Sequence, residues 1–382
     1  MKRSIFEAEH EALRQSAREF LARECAPHTE EWERDGVVAR EVYKKAGDAG
    51  LLGFNIPEEF GGGGSDDFRF NAVVVEEFAR FDGAAPGLSL QNDVLAPYFL
   101  HLANDEQRKR WMPGIATGET ILAVAMTEPG AGSDLAGIKT SAKKDGDDYI
   151  INGNKTFISA GINSDLVVVV CRTNPDPGAG HKAFSLLVVE RGMEGFERGR
   201  KLDKMGLKSA DTAELHFNNV RVPKENLLGE ENKGFYHLMQ NLPSERLSIA
   251  IGAIAGARAI FEETLQYTKD RKAFGKPIGT FQHNRFTLAE MATELDLAEV
   301  YIDRCLQAVG DDELSAVDAS KAKWWCTELA KRVIDNCLQL HGGYGYMNEY
   351  RVARAYKDSR IQTIFGGTTE IMKDIIGRDL GV

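Results

Sequence analysis

The chain has 382 residues, too many for one ordinary hydrophobic core, so two or three domains are expected. Hydrophobic residues make up 43% and charged residues 27%, as in a globular enzyme, and the net charge of −11 argues against a nucleic-acid or anionic-membrane surface. No apolar run approaches the roughly 20 residues that span a bilayer. The start, MKRSIFEAEHEAL, turns polar too soon for a secretory signal, and Asp379 to Val382 form no targeting tail. The cysteines (Cys25, Cys171, Cys305, Cys326, Cys337) are scattered, with no metal-like or C-x-x-C spacing. Reduced, buried thiols and a cytoplasmic protein are therefore expected. His10-Glu11 begins a zinc-helix pattern, but Arg14 stands where the second His belongs, so no metal site is expected.

From Glu7 to Cys25 apolar residues recur at helical spacing, and Pro27 follows. A second helix is read over Val38 to Ala49, stopped by Gly50. Asn55 to Ser65 (NIPEEFGGGGS) reads as a flexible surface loop. Asp67 to Phe81 and Asp93 to Ala103 read as helices, and Asp105 to Trp111 opens another that Pro113 and Gly114 close. This first part, 1–118, carries no catalytic constellation.

After Gly118 the apolar runs become short and β-branched. Ile121 to Ala125, Tyr149 to Ile151, Lys155 to Ser159, Leu166 to Cys171, Phe184 to Val189 and Glu214 to Phe217 are strand candidates. No crossover helices separate them, which implies an antiparallel barrel or sandwich over 119–225. Helical periodicity returns in 226–382. A stripe from Glu245 runs Leu247, Ile251, Ile254, Phe261, Leu265 and ends near Gly275 and Pro277. A second runs from Leu288 to Val309, and a third from Ser315 to Leu340, stopped by Gly342-Gly343. With a last helix over about Glu370 to Leu380, these form a four-helix bundle. The fold class is α+β: helical domain, β domain, helical bundle.

Ala125 to Gly137 reads AMTEPGAGSDLAG. Gly and Pro at this density force turns whose N–H groups can cradle an anion or a polar ring edge. A plain connection between strands is the alternative. The loop is no dinucleotide fingerprint, because the third glycine of G-x-G-x-x-G is missing after Gly130 and Gly132. As a whole it resembles the first signature of the acyl-CoA dehydrogenases. Three more stretches resemble that family: KTFISAG (Lys155 to Gly161), the RKAFG stretch (Arg271 to Gly275), and QLHGGYGYMNEYRVARAYKD (Gln339 to Asp358).

The resemblance implies one FAD per chain. It places Met126, Thr127, Gly132 and Ser133 along the flavin, with Phe157 and Ser159 beside them. Phe157 stands where many members have Trp, and a sheet-core residue is its alternative reading. Arg271, Phe274, Gln282 and the turn Gln339, Leu340, His341, Gly342, Gly343 are expected to serve the FAD of a neighbouring subunit in a homotetramer. Arg suits a pyrophosphate because its planar fork donates two hydrogen bonds, although a helix-end cation would explain Arg271 alone. His341 is read as a packing or hydrogen-bonding residue rather than a base. Thr368, Thr369 and Glu370 fall where the family contacts its cofactor.

The implied reaction is α,β-dehydrogenation of an acyl-CoA thioester, with electrons passed to an electron-transfer flavoprotein. A carboxylate takes the α-proton, and the thioester carbonyl needs donors aimed at it. The resemblance supplies a ribityl hydroxyl of FAD and one backbone N–H, that of Gly366. Most members carry the base in that loop, but this chain reads Phe365-Gly366-Gly367-Thr368-Thr369-Glu370. The long-chain and isovaleryl-CoA types also have Gly there and place the base at the start of the long helix. LPSERL (Leu242 to Leu247) puts Glu245 in that place, with Glu370 as a second candidate. Ser133, Arg246, Gly366 and Gly367 are the expected acyl-CoA contacts. Medium- or long-chain substrates are expected. A branched short-chain substrate, a same-fold oxidase or monooxygenase, and a silent thioester-binding paralogue are the alternatives.

Overall fold

The computed structural model describes residues 3 to 382. Its first part is helical: α1 (Ala8–Phe20), α2 (Thr29–Asp35), α3 (Glu41–Asp48), α4 (Phe68–Arg80), α5 (Ala96–Leu102) and α6 (Asp105–Thr117). Strands β1 (Leu122–Ala125), β2 (Ser141–Asp145), β3 (Asp148–Ser159), β4 (Leu166–Arg172), β5 (Phe184–Glu190), β6 (Phe196–Lys201), β7 (Thr212–Pro223) and β8 (Leu227–Leu228) follow. Helix α7 (Gly234–Asp270), the small hairpin β9 (Lys272–Ala273) and β10 (Lys276–Pro277), and helices α8 (Gln282–Gly310), α9 (Ala316–His341), α10 (Arg351–Ser359) and α11 (Thr369–Asp379) complete the chain.

Two expectations need correcting in the first part. Helix α2 was not foreseen, and it is held by Trp32, which is buried. Pro113 and Gly114 do not close α6, which runs on to Thr117 and ends at Gly118. A proline inside a helix loses its own N–H, but the buried Trp111, Met112, Ile115 and Ala116 hold the next turn against the core.

The sheet order is β6-β7-β3-β2-β4-β5-β8, with β1 beside β4. Most pairs are antiparallel, as expected. The correction is that β1 runs parallel to β4, and β2 meets β4 in parallel at Ser141 and Arg172. The connection from β1 to β4 is the glycine-rich loop plus the β2–β3 hairpin, so no crossover helix announces the parallel pair. The two stretches read as separate strands at 149–151 and 155–159 are one strand, β3, interrupted by bulges against β7.

Strand β4 is buried on both faces. Leu166, Val168 and Val170 join Phe99, Trp111 and Ile115 of α5 and α6. Val167, Val169 and Cys171 join Phe20 and Tyr43 of α1 and α3. That is why β4 reads as an unbroken apolar run instead of alternating.

In the last part α7, α8 and α9 share one core through Leu247, Ile251, Ile254, Leu295, Ile302, Leu329 and Val333. Helix α11 packs on α9, completing the expected bundle. Ala72 and Val75 of α4 enter the same core. Small residues on α7 let α4 come close: a Cβ at Gly252 would sit 3.3 Å from Val75 Cγ1. Helix α7 is thus enclosed by both helical domains. Among the described residues no helix is long and apolar enough to cross a membrane.

Leu187 lies in β5 with no exposed surface, inside the core shared by the sheet and the N-terminal helices. Leu187→Ala is expected to destabilise the protein by roughly 2–5 kcal/mol, read from the urea midpoint at constant slope.

Candidate functional site

Glu245 is 5% exposed. It does not open α7: the helix starts at Gly234, and Pro243 lies within it, so the expected place at the helix start is corrected. Glu245 is about three turns in, beyond reach of the helix dipole, which fades within the first turn. Pro243 looks like a first-turn signal in the sequence, but here it costs α7 one hydrogen bond without ending it.

Burial pushes the Glu245 carboxyl up to about 7, against the opposing pull of a Tyr98 hydrogen bond and the Arg246 charge. Tyr98 is fully buried, and its hydroxyl donates to Glu245 Oε1 at 3.0 Å. Tyr98 is a residue that sequence reasoning missed; a Tyr in a short apolar helix carries no signal. Its place is fixed by a wide π turn, Leu90–Leu95, with three consecutive buried polar side chains. Gln91 exchanges hydrogen bonds with Leu122 of β1. Asn92 binds the backbone of Leu51 and Gly53. Asp93 accepts from Asn71 of α4 at 2.7 Å and from Ser248 of α7 at 2.5 Å. The turn is therefore tied to four separate parts of the fold just before Tyr98.

Next to Glu245, Arg246 Nε donates to the Gly366 carbonyl at 3.4 Å. Lys323 Nζ of α9 donates to the Gly367 carbonyl at 2.6 Å. Both glycines are left-handed, with φ of 63° and 100°. Among the described residues their N–H groups have no backbone partner. A Cβ at Gly366 would lie 2.4 Å from Ile249 Cδ1, one turn beyond Glu245. The predicted base and the predicted oxyanion donor thus stand at one place. Thr368 caps α11, and the Thr369 hydroxyl donates to Glu328 Oε1 at 2.9 Å. Glu370 is exposed in the first turn of α11, and hydrogen bonds from its own N–H and from Thr368 hold its carboxyl below the usual range. It is an ionised surface acid, poorly placed to serve as a buried base.

The first two sequence stretches are bolted together by a pair that sequence reasoning also missed. Lys155, fully buried, meets Glu128 Oε1 at 3.0 Å and donates to the Met126 carbonyl at 2.9 Å. A Lys inside an apolar strand was the available signal. Burial lowers the Lys155 ammonium, and Glu128 partly restores it. Thr156 donates its N–H to the Thr127 carbonyl at 3.0 Å. On the outer side Gly132, Ser133, Phe157 and Ser159 are exposed. Phe157 is 66% exposed at φ 59°, so its alternative reading as a sheet-core residue is overturned. The bulge between Lys155 and Ile158 turns it outward. An aromatic ring held outward in a strained backbone suits a planar ring ligand.

The third and fourth stretches meet at the far end of α7. Tyr267, Arg271, Gln339, Leu340, His341, Gly342, Gly343 and Tyr344 line an open cavity of about 450 Å³. His341 stacks on Tyr267 at 4.1 Å and its Nε2 meets Thr264 Oγ1 at 3.2 Å. Among the described residues its buried Nδ1 has no hydrogen-bond partner. A Cβ at Gly342 or Gly343 would meet nothing within 4 Å, which leaves the turn open to a ligand. Phe274 is 95% exposed and Gln282 is exposed nearby. Arg271 follows the last residue of α7, so it stands roughly 38 Å along the helix from Glu245. Both sets of residues fit a flavin dinucleotide: an outward aromatic and glycine edge at one, an Arg and an unpartnered ring nitrogen at the other.

The chain matches three family descriptions: the acyl-CoA dehydrogenase N-terminal domain over 7–119, the middle domain over 123–220 and the C-terminal domain over 232–381. It is 50% identical over 378 residues to the mitochondrial long-chain specific acyl-CoA dehydrogenase of Sus scrofa, covering 99% of this chain and 88% of that one. It is 36% identical to a subunit of the caffeyl-CoA reductase–Etf complex of Acetobacterium woodii, over 97% of this chain and 98% of that one. The crystal structure of an acyl-CoA dehydrogenase from Geobacillus kaustophilus superposes with a TM-score of 0.97 at 48% identity, covering 100% of both chains.

The buried carboxyl has a consequence that needs no ligand. Its pKa is raised from 4.5 to about 7, so the folded state holds the proton more tightly than the unfolded chain does. The stability this brings is present below pH 4.5 and is lost as pH rises through about 7. Glu245→Gln, which keeps an acceptor for Tyr98, is expected to raise the melting temperature at pH 8, by up to roughly 3 kcal/mol of stability at about 1.4 kcal/mol per pH unit. The gain should vanish as pH is lowered to 4.5, and a gain independent of pH would show that Glu245 is not held neutral by burial.

Proposed function

The chain belongs to the acyl-CoA dehydrogenase family of FAD flavoproteins, and from that premise we propose that it dehydrogenates long-chain acyl-CoA thioesters with Glu245 as the base. FAD, when bound, supplies the acceptor for the hydride leaving the β-carbon. Met126, Thr127, Gly132, Ser133, Phe157 and Ser159 would hold its flavin. Thr368, Thr369 and Glu370, at the N-terminal end of α11, are the proposed further cofactor contacts. We place the domains at 1–118, 119–225 and 226–382.

Glu245 Oε2 is the oxygen not engaged by Tyr98, and it would take the α-proton. Removing that proton moves negative charge onto the thioester oxygen. The Gly366 N–H, unpartnered within the described residues, would donate to that oxygen. The Arg246 and Lys323 cations stand behind the same turn and favour the charge as Glu245 becomes neutral. Ser133 and Gly367 complete the proposed thioester contacts. The observation that carries the reading is a buried carboxyl with a raised pKa set against a glycine turn whose N–H groups have no backbone partner among the described residues.

Long-chain specificity is supported by relatives that carry that name, and an electron-transfer flavoprotein as acceptor by a relative named from its Etf complex. The distance along α7 supports the homotetramer reading. A chain whose Arg271 lies roughly 38 Å from its own Glu245 would place Arg271, Phe274, Gln282 and the Gln339 to Gly343 turn on a neighbour's FAD. Arg271→Ala is then expected to loosen FAD and leave acyl-CoA affinity in the reloaded enzyme intact. A monomer by light scattering that keeps its flavin would refute the shared site.

Glu245→Gln is expected to slow anaerobic flavin reduction by ~10²–10⁴-fold with FAD content unchanged. In the parent the rate should rise with pH through about 7, because the base must be ionised. Tyr98→Phe removes a hydrogen bond that favours the ionised form, so it should move that rise to higher pH. Moving the base back to the loop with Gly366→Glu should restore part of the rate only when Ile249 is also cut to Ala, because of the 2.4 Å approach. Reduction of Glu245→Gln at the parental rate would leave Glu370 as the remaining candidate.

A further inference from the structure

We propose that Lys323 is a positioning residue for this reaction: its ammonium pins the Gly366–Gly367 turn so that the Gly366 N–H stays presented to the acyl thioester oxygen. The inference rests on the proposed function and extends it to a side chain on α9. Lys323 has no exposed surface, and its Nζ donates to the Gly367 carbonyl at 2.6 Å. Among the described residues no carboxylate lies within ion-pair distance of it. The groups that face it are charged but spent or distant. Arg246 on α7 carries a like charge. Glu328 on its own helix is engaged by Thr369 and Lys331. Glu370 on α11 is in solvent.

A buried cation without its own anion is a poor stabilising element, and a well-packed apolar side chain of similar volume is often neutral or better. The charge is therefore explained by what it holds. It holds two consecutive glycines at positive φ, a conformation with many alternatives for residues without side chains. Arg246 takes the carbonyl of Gly366 and Lys323 the carbonyl of Gly367. With both carbonyls fixed, the peptide planes on either side of Gly367 cannot flip. Those two planes carry the Gly367 and Thr368 N–H groups; the Gly366 N–H lies in the preceding Phe365–Gly366 plane, joined to the first pinned plane through the Gly366 Cα, so holding the turn restrains its direction through that one atom. The long Arg246 contact of 3.4 Å makes Lys323 the firmer of the two anchors.

The test uses the FAD-loaded enzyme with Lys323→Met and Lys323→Arg. Two probes are titrated by the change in flavin absorbance: an enolisable 3-oxoacyl-CoA, which brings negative charge to the thioester oxygen, and an S-alkyl-CoA thioether of equal length, which has no carbonyl. Lys323→Met is expected to weaken the 3-oxoacyl-CoA by about 10- to 100-fold and to lower kcat similarly, the scale of a misplaced or lost oxyanion donor. Thioether affinity and the melting temperature should not fall, and Lys323→Arg should restore both lost quantities. Should the methionine variant not accumulate, Lys323→Gln is read the same way. Equal weakening of both probes, or of neither, overturns the inference. Bleaching of the parent flavin by acyl-CoA is recorded alongside. Its absence overturns the proposed reaction, whereas a bleached parent with an indistinguishable Lys323→Met overturns this inference alone.

Discussion

The removal of water from one carboxylate is the constraint around which the helices are arranged. An exposed Glu titrates near 4.5 and is too weak a base to pull a proton from carbon at neutral pH. Enclosing Glu245 brings it to about 7, where about half of it is ionised at neutral pH and the ionised form is a stronger base. That enclosure needs packing on every side of α7. Helix α4 closes one side because small residues on α7 admit Val75. Tyr98 closes another, and α9 and the glycine turn a third. The desolvation opposes folding, and the shared cores of the three regions offset it.

Polar groups buried beside Glu245 are answered in two different ways. The π turn before Tyr98 is satisfied: Gln91, Asn92 and Asp93 each find partners in other elements. Such a network fixes one arrangement, because any shift would leave a buried group unpaired. Arg246 is answered by the Gly366 carbonyl, the Ser320 hydroxyl and the Glu245 charge, and Lys323 by the Gly367 carbonyl and, at longer range, by Glu328 and Glu370. The Arg246 charge is offset while Glu245 is ionised and loses that offset when Glu245 accepts a proton. In the proposed reaction that imbalance appears as the thioester oxygen turns negative. The two cations do little for binding a neutral carbonyl and more for its charged form, which is the difference that accelerates a reaction.

The sequence carried the local signals well and the tertiary ones poorly. The stripes of α8 and α9, their stops at Gly310 and Gly342, and the apolar strands β4 and β5 were all readable from periodicity. The glycine at position 366 and the acid at 245 were readable from motif resemblance. What escaped was set by tertiary context. The long helix reads as starting at Glu245, because a sequence does not show that neighbouring elements will hold a helix through the missing N–H of Pro243 back to Gly234. The parallel β1–β4 pair escaped because a hairpin replaced the usual crossover helix. Tyr98 and Lys323 carry no periodic or motif signal: each matters through one contact across more than forty residues of chain, Tyr98 to Glu245 and Lys323 to Gly367. Phe157 was ambiguous until the bulge in β3 turned it outward.

Placing the base on a helix instead of in the loop changes what each element must supply. A helix carbon is rigid, so Glu245 reaches its place with few rotamers to lose. The loop is released from carrying a side chain and can adopt φ values of 63° and 100° that a Glu would resist. Its backbone then comes closer to the Ile249 side chain of α7 than a Cβ could unless the end of that side chain moved, as the 2.4 Å approach to Ile249 Cδ1 shows. The gain is a tightly closed oxyanion side. The corresponding demand is on the anchors: a glycine pair has no side chain to lock its own backbone, so its direction has to be imposed from outside. Arg246 and Lys323 meet that demand from two different helices, which ties the geometry of the turn to the packing of α7 against α9.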